Sequence, residues 1–424
     1  PLVKTGGLAD VVGALPHALA AEGVEMRVLL PGYPQVMAAL AREGVAMEDR
    51  NLFGGHAGVV AATAAGLSLL VIDAPHLYDR LGSIYLGPDG RDWGDNPERF
   101  AGLCWIARRI AGEGVAGWRP DVLHCHDWQG GLAPEYVRAA GLGVGTVLTV
   151  HNMAFHGLAP AERIASLRLD PGRFHPQGYE FWGRVSALKA GLVAADRLTT
   201  VSPTYAEELL RPEFGMGLDG VMRERRNALT GILNGIDEAA WNPAADPAVL
   251  PYETPEGKAA NKASLRAELG LPEAEGPLCI VVSRLTAQKG LDLLIEALPA
   301  LLDRGGQLAV LGSGEGWLED AFLGLAGDGR VAVRIGYDEA LSHRMMAGGD
   351  AILVPSRFEP CGLTQLYGLR YGAIPLVALT GGLADTVVNA SPAALATGVA
   401  NGIQFHPVTA DALRAALARL CDLW

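Results

Sequence analysis

Short β-branched runs recur along the chain. Each is followed by a Gly- or Asp-containing loop and then by apolar residues at helical spacing. In the first half the runs are 25–30, 69–72, 121–125, 146–150 and 197–201. In the second half they are 278–282, 307–311, 331–335, 351–354 and 374–377. Strands alternating with helices predict parallel sheets in doubly wound α/β layers, which bind ligands beyond the carboxyl ends of their strands. The uncharged stretch 57–72 is interrupted by Thr63, Gly66 and Ser68. It falls short of the ~20 residues of a spanning helix and reads as two core strands joined by a Gly turn.

Between the halves, 234–277 is rich in Pro, Glu and Asp and shows no strand pattern. It reads as a linker with a helix around 261–269. The N-terminal domain is then 1–236 and the C-terminal domain 237–424, two α/β domains facing a central cleft. No fixed-period repeat and no low-complexity tract is visible.

Composition narrows the function classes. The chain has 424 residues, half of them hydrophobic and 19% charged, enough for two large cores. The formal net charge of −13 lacks the basic surplus of a nucleic-acid binder. Five widely separated cysteines, with no C-x-x-C pair, fit free thiols in a reducing compartment, hence a cytoplasmic protein, and with no spanning segment no membrane partner is expected. No signal peptide is visible.

Several motifs carry candidate chemistry. Lys4-Thr5-Gly6-Gly7 leads into a helix from about Leu8 that includes Asp10. Paired glycines let backbone approach a bulky anion, and a helix start offers free N–H groups. The same residues also suit an ordinary strand-to-helix turn. His124-Cys125-His126-Asp127-Trp128 closes a strand. His124 and His126 could share a face, but no partner cluster supports a metal, and Asp127 with Trp128 suits sugar hydroxyls and a sugar face better. His151-Asn152 closes the run 146–150, where doubly wound sheets place their ligands; a satisfied structural His is the other reading.

In the second half, Arg284 and Lys289 flank a loop after the first strand, a pattern suited to a pyrophosphate; a solvated surface loop is the other reading. The segment 355–365 (PSRFEPCGLTQ) sets Glu359 before the turn Cys361, Gly362, Leu363, Thr364. A Glu before a Gly turn can hold sugar hydroxyls while the helix start faces phosphate. No adjacent His activates Cys361, which reads as a contact residue. Gly381-Gly382 echoes the opening loop, and 311–316 (LGSGEG) reads as a nucleotide-facing loop.

Taken together, 4–16 (KTGGLADVVGALP), 73–80 (DAPHLYDR), 119–128 (RPDVLHCHDW), 201–205 (VSPTY), 233–237 (LNGID), 282–297 (VSRLTAQKGLDLLIEA), 354–367 (VPSRFEPCGLTQLY) and 380–387 (TGGLADTV) resemble the bacterial glycogen synthases, a pattern shared with plant starch synthases. The resemblance spans the whole chain. It implies a GT-B fold of two Rossmann-like domains, with retaining transfer of glucose from ADP-glucose to the non-reducing end of an α-1,4-glucan. No cofactor and no metal are implied.

Carried over by motif, Lys4, Gly6, Gly7 and Asp10 contact the donor, and Arg284 and Lys289 neutralise the leaving diphosphate. Glu359 and Cys361–Thr364 hold the glucose, with Asn234, Gly381 and Gly382 in the same site. His151 lies near the reacting sugar, Asp127 and Asn152 line the cleft, and Tyr337 meets the adenine. Many related GT-B transferases carry a second Glu eight residues after the first. Here Tyr367 stands there, so the ribose is held otherwise.

Members of the family begin with a strand before K-T-G-G and end with a helix crossing back to the first domain. Neither is expected in this chain, which reads as truncated at both ends. A UDP-glucose donor and a non-catalytic glucan-binding fragment are the competing readings. Trp93, Trp128 and Phe155 suit either an acceptor groove or the core.

Overall fold

The computed structural model describes Leu2, Val3 and residues 6–424. The expectations on Lys4 and Thr5 lie outside the described residues. The chain divides into two compact units, Pro1–Val201 with Ala206–Ile232, and Ser202–Tyr205 with Leu233–Trp424.

In the first unit, β1 (Val28–Pro31), β2 (Ala41–Leu52), β3 (Gly55–Ala64) and β4 (Leu67–Asp73) form a sheet of order β1-β4-β3-β2. Only β1 and β4 are parallel; β4, β3 and β2 pair antiparallel. The expected strands at 25–30 and 69–72 are the parallel pair, and the antiparallel strands are added beside them. The stretch 57–72 does form two strands joined at a Gly. Its turn is Ala65-Gly66, both at positive φ (50° and 74°), and a two-residue turn can only return the chain antiparallel. The twelve-residue β2 was not foreseen, because most of its side chains are exposed and show no apolar alternation.

The strands β5 (Val122–His126), β6 (Gly145–Val150), β7 (Leu158–Pro160), β8 (Glu180–Phe181), β9 (Arg184–Ser186), β10 (Arg197–Thr200) and β11 (Leu229–Gly231) complete the unit. They build a parallel sheet of order β11-β10-β6-β5 and a small antiparallel sheet of order β7-β9-β8.

The second unit is built on one six-stranded parallel sheet. Its strands are β12 (Leu278–Val282), β13 (Gln307–Gly312), β14 (Val331–Ile335), β15 (Ala351–Val354), β16 (Ile374–Ala378) and β17 (Ile403–Phe405), in the order β14-β13-β12-β15-β16-β17. Alternate residues of β12 enter different cores. Cys279 and Val281 pack with Leu413, Leu417 and Leu420 of the helix Ala410–Leu423, whereas Leu278 and Ile280 pack with Leu265 and Met345. Burial on both faces explains why these strands read as unbroken apolar runs. The preceding helix starts at Lys258, earlier than expected, because Lys258 itself is buried against the carbonyls of Met346 and Tyr371.

This strand order reverses direction between β12 and β15, which are hydrogen-bonded neighbours. Connections leave toward opposite faces there, so a crevice opens beyond the two strand ends. Among the described residues no helix is long and apolar enough to cross a membrane.

Candidate active site

In the second unit the loops after β12 and β15 lie against each other at this switch point. Gly290, at φ 64°, approaches so closely that a Cβ there would stand 2.0 Å from the Pro355 carbonyl oxygen. Arg357 donates to both carboxylate oxygens of Asp292 at 2.7 and 2.6 Å and to the Ala287 carbonyl at 2.6 Å. Its own amide donates to the Gln288 carbonyl, and Gln288 Nε2 returns a bond to Phe358.

This framework brings Lys289 Nζ to 2.5 Å from Glu359 Oε2, although the two residues are 70 positions apart. Ser356 donates its hydroxyl to the same oxygen at 2.8 Å. The pair is well covered, with side-chain exposures of 17% and 9%. Arg284 stands exposed on the same loop, and no described residue holds its guanidinium.

The turn after Glu359 is also shaped from several sides. Cys361 is buried, which pushes its thiol up to about 11, while the backbone and side chain of Asn234 act to lower it by hydrogen bonding. Such burial disfavours the thiolate, the form in which a cysteine attacks. Gly362 takes φ 71°, and Gln365 Nε2 spans the turn by donating to the carbonyls of Cys361 and Gly362. The helix Thr364–Arg370 has no side-chain cap, and the amides of Gly362, Leu363 and Thr364 donate to no other described residue. These are donors open to an anion or a sugar oxygen.

Asp385 is the other carboxylate near Cys361. It is occupied by the amide and hydroxyl of Thr204, at 2.8 and 2.7 Å. Ser202 donates to the Pro360 carbonyl at 2.5 Å.

Gly381 and Gly382, expected to face a ligand like the opening loop, are buried. A Cβ on Gly381 would stand 2.0 Å from the Glu359 carbonyl oxygen, and one on Gly382 would stand 2.2 Å from that of Cys361. Glycine is required because backbone packs on backbone beneath the Glu359 turn. In the 311–316 run, Gly312 and Gly314 answer to the same need, with Cβ positions 1.9 Å from the Ser283 and 2.2 Å from the Leu285 carbonyl oxygens. Tyr337 is 73% exposed just after β14. Tyr367, in the place of the second Glu, is buried and stacks on Trp241 at 3.7 Å, and Trp241 stacks in turn on His343 at 3.9 Å.

The first unit carries a separate cluster at the ends of β5 and β6. Asp127 takes a left-handed φ of 47° and is buried. Its Oδ1 accepts the amides of His151 at 2.6 Å and Asn152 at 3.3 Å. Burial pushes this carboxyl up to about 7 against the opposing pull of those two bonds. The oxygen engaged by these amides holds the His151 loop.

His151 Nε2 lies 3.0 Å from His126 Nδ1, and the His126 ring stands 4.3 Å from that of His124. The two histidines of β5 therefore share a face, as expected. Burial pushes His151 down to about 4, with the neighbouring His124 adding to the shift. Asn152 spends its side-chain oxygen on the Ala154 amide. Among the described residues no group of three or more His, Cys, Asp or Glu side chains could hold a metal.

Gly6 is extended (φ 167°), with open space where a Cβ would stand, ahead of the helix Gly7–Ala20 that carries Asp10. Trp128 packs on Phe100 at 4.6 Å and against Gly157, a core arrangement, whereas Phe155 is 52% exposed. Trp93 lies under the Arg80 guanidinium, 4.8 Å from its ring centre. Sequence reasoning missed Ser356 and the contact of His126 with His151. The motif letters held both residues, but pairing across strands leaves no local signal.

Two α/β units, each containing a parallel sheet, are the fold class of the GT-B glycosyltransferases. The comparisons agree. Residues 1–224 match the starch synthase catalytic domain family, and residues 276–422 match the glycosyl transferases group 1 family. The glycogen synthase of Paracoccus denitrificans is 66% identical, covering all of this chain and 90% of that protein. That of a Jannaschia species is 62% identical over the same shares. The catalytic domain of starch synthase IV from Arabidopsis thaliana, solved with ADP and acarbose, superposes with a TM-score of 0.88 at 32% identity, covering all of this chain and 90% of that one. The chain belongs to the glycogen synthase family.

Proposed function

We propose that the chain transfers glucose from ADP-glucose to the non-reducing end of an α-1,4-glucan with retention of configuration, releasing ADP. The observation that carries this reading is the Lys289–Glu359 pair at the switch point, with Arg284 exposed beside it. In such a transfer the bond from the anomeric carbon to the diphosphate breaks and a bond to the acceptor hydroxyl forms on the same face. The acceptor's proton passes to the departing β-phosphate oxygen.

Negative charge grows on the diphosphate as the sugar becomes oxocarbenium-like. Fixed cations and amide donors at that oxygen lower the barrier most. Arg284, Lys289 and the amides of the 362–364 turn supply them, so the reaction proceeds without a metal. Glu359 keeps Oε1 for a glucose hydroxyl while Oε2 orients Lys289. Hydrolysis by paired carboxylates would call for a second one, and Asp385 is already engaged by Thr204.

His151, with Lys4, Gly6, Gly7, Asp10 and Asn152, serves the same transfer from the first unit, and exposed Tyr337 meets the adenine. The Arabidopsis relative's bound ADP supports the choice of donor. Five free cysteines support a cytoplasmic setting.

The test is a side-by-side assay of ADP-glucose and UDP-glucose with glycogen as acceptor and a chelator present. Faster transfer from ADP-glucose, undiminished by chelator, is expected. Preference for UDP-glucose, or loss of activity in chelator, would contradict the reading.

A further inference from the structure

His151 is held at two points. Its main chain is fixed by Asp127, and its ring meets a second imidazole whose own position is fixed from below. His126 is the second histidine of a ladder that starts in the sheet. Thr199 of β10 and Thr149 of β6 share a hydroxyl hydrogen bond of 2.6 Å. Thr149 Oγ1 lies 2.6 Å from His124 Nε2. The His124 ring packs on His126 at 4.3 Å and 33°, and His126 Nδ1 reaches His151 Nε2 at 3.0 Å. Three parallel strands thus determine where the His126 ring stands.

Burial lowers the proton affinity of both rings, so both are neutral near pH 7. In a neutral pair one nitrogen donates and the other accepts. Whichever way the proton lies, Nε2 of His151 is occupied, and no described residue engages its Nδ1.

We infer that His126 is a positioning residue for the transfer: by occupying His151 Nε2 it fixes the ring's orientation and leaves Nδ1 as the nitrogen turned to substrate. This rests on the proposed role of His151. Its value to the reaction is geometric, since displacing a positioned group by about 1 Å can cost up to ~100-fold in rate.

The test is a set of variants assayed with ADP-glucose and glycogen, each with its thermal unfolding midpoint. His126→Leu removes the contact. His126→Gln keeps a polar side chain but sets its amide where Nε2 stood, out of reach of His151. His126→Asn sets an amide at the Nδ1 position and restores the bond. We expect Leu and Gln to lower kcat by about 10- to 100-fold with little change in KM, and Asn to recover most of the loss. In combination with His151→Ala, His126→Leu is expected to add nothing further, because a residue acting only through another is not additive with it.

Additive losses in the double variant would overturn the inference. So would an Asn variant as slow as Gln, or a full rate in Leu beside an impaired His151→Ala. A His151→Ala variant at the parent rate would instead overturn the role proposed for His151, and the inference with it.

Discussion

Glu359 and Asp127 are both buried carboxylates beyond the carboxyl ends of parallel strands, yet their surroundings differ in kind. Glu359 shares an oxygen between an ammonium and a hydroxyl, so its charge is balanced by Lys289. Asp127 meets two backbone amides and no cation among the described residues, and burial pushes it up to about 7. A carboxylate beside a cation can keep its charge through a reaction cycle. One held only by amides titrates near neutrality and is better suited to holding a loop. In the proposed transfer, the difference separates a group assigned to act on substrate from a group that positions another residue.

The sharpest way to break this contrast is to remove the cation. Lys289→Ala leaves Glu359 buried and uncompensated. It is expected to cost about 3–5 kcal/mol of stability in denaturant unfolding and to lower turnover by about 100-fold or more. Next comes the backbone beneath the pair. Gly381→Ala must relieve a Cβ 2.0 Å from the Glu359 carbonyl oxygen at a φ of 44°, and is expected to lose about 3 kcal/mol by the same measurement.

The Asp127 side is best read through pH. Its folded pKa of about 7 lies above the ordinary 3.8, so its contribution to stability falls as pH rises from about 4 to about 7. His151, lowered from 6.5 to about 4, acts in the opposite sense, and its contribution is lost as pH falls through that window. These two slopes oppose each other, and His124 and His126, which burial also lowers, add to the His151 side. Asp127→Asn keeps an acceptor oxygen and removes the charge. It should expose the His151 slope, with an unfolding free energy rising by a few kcal/mol between about pH 4 and 6.5. His151→Gln should move the profile the other way, with a smaller rise in stability with pH than in the parent. Parallel pH profiles for all three proteins would refute the assignment. The smallest effect is expected for Ser356→Ala, which removes one of two donors to Glu359 Oε2. It should cost about 1 kcal/mol and leave the Lys289 pair in place.

How much of this was legible in the sequence follows from what each signal depends on. The second unit's strands at 278–282, 331–335 and 351–354 were read residue for residue, because burial on both faces makes each an unbroken apolar run. The first unit was harder. The run at 25–30 begins its strand only at Val28, and exposed β2 carries no alternating pattern at all. In the site, residue types and loops were readable but partnerships were not. Lys289 meets Glu359 through adjacency of β12 and β15, which depends on strand order rather than local pattern. Gly381 and Gly382 copied the letters of the opening loop, but glycine serves a close backbone contact as well as it serves a ligand. Asp127 was legible as a strand-end carboxylate, whereas its bonds to the next loop depend on the pairing of β5 with β6.

Fixed cations at the departing diphosphate are central to the proposed transfer, and Arg284, exposed and held by no described residue, is the cation that can be removed alone. The direct measurement is turnover of Arg284→Ala with ADP-glucose and glycogen, beside its unfolding midpoint. A loss of kcat of about 100-fold or more at an unchanged midpoint is expected. Turnover within a few-fold of the parent would contradict the account.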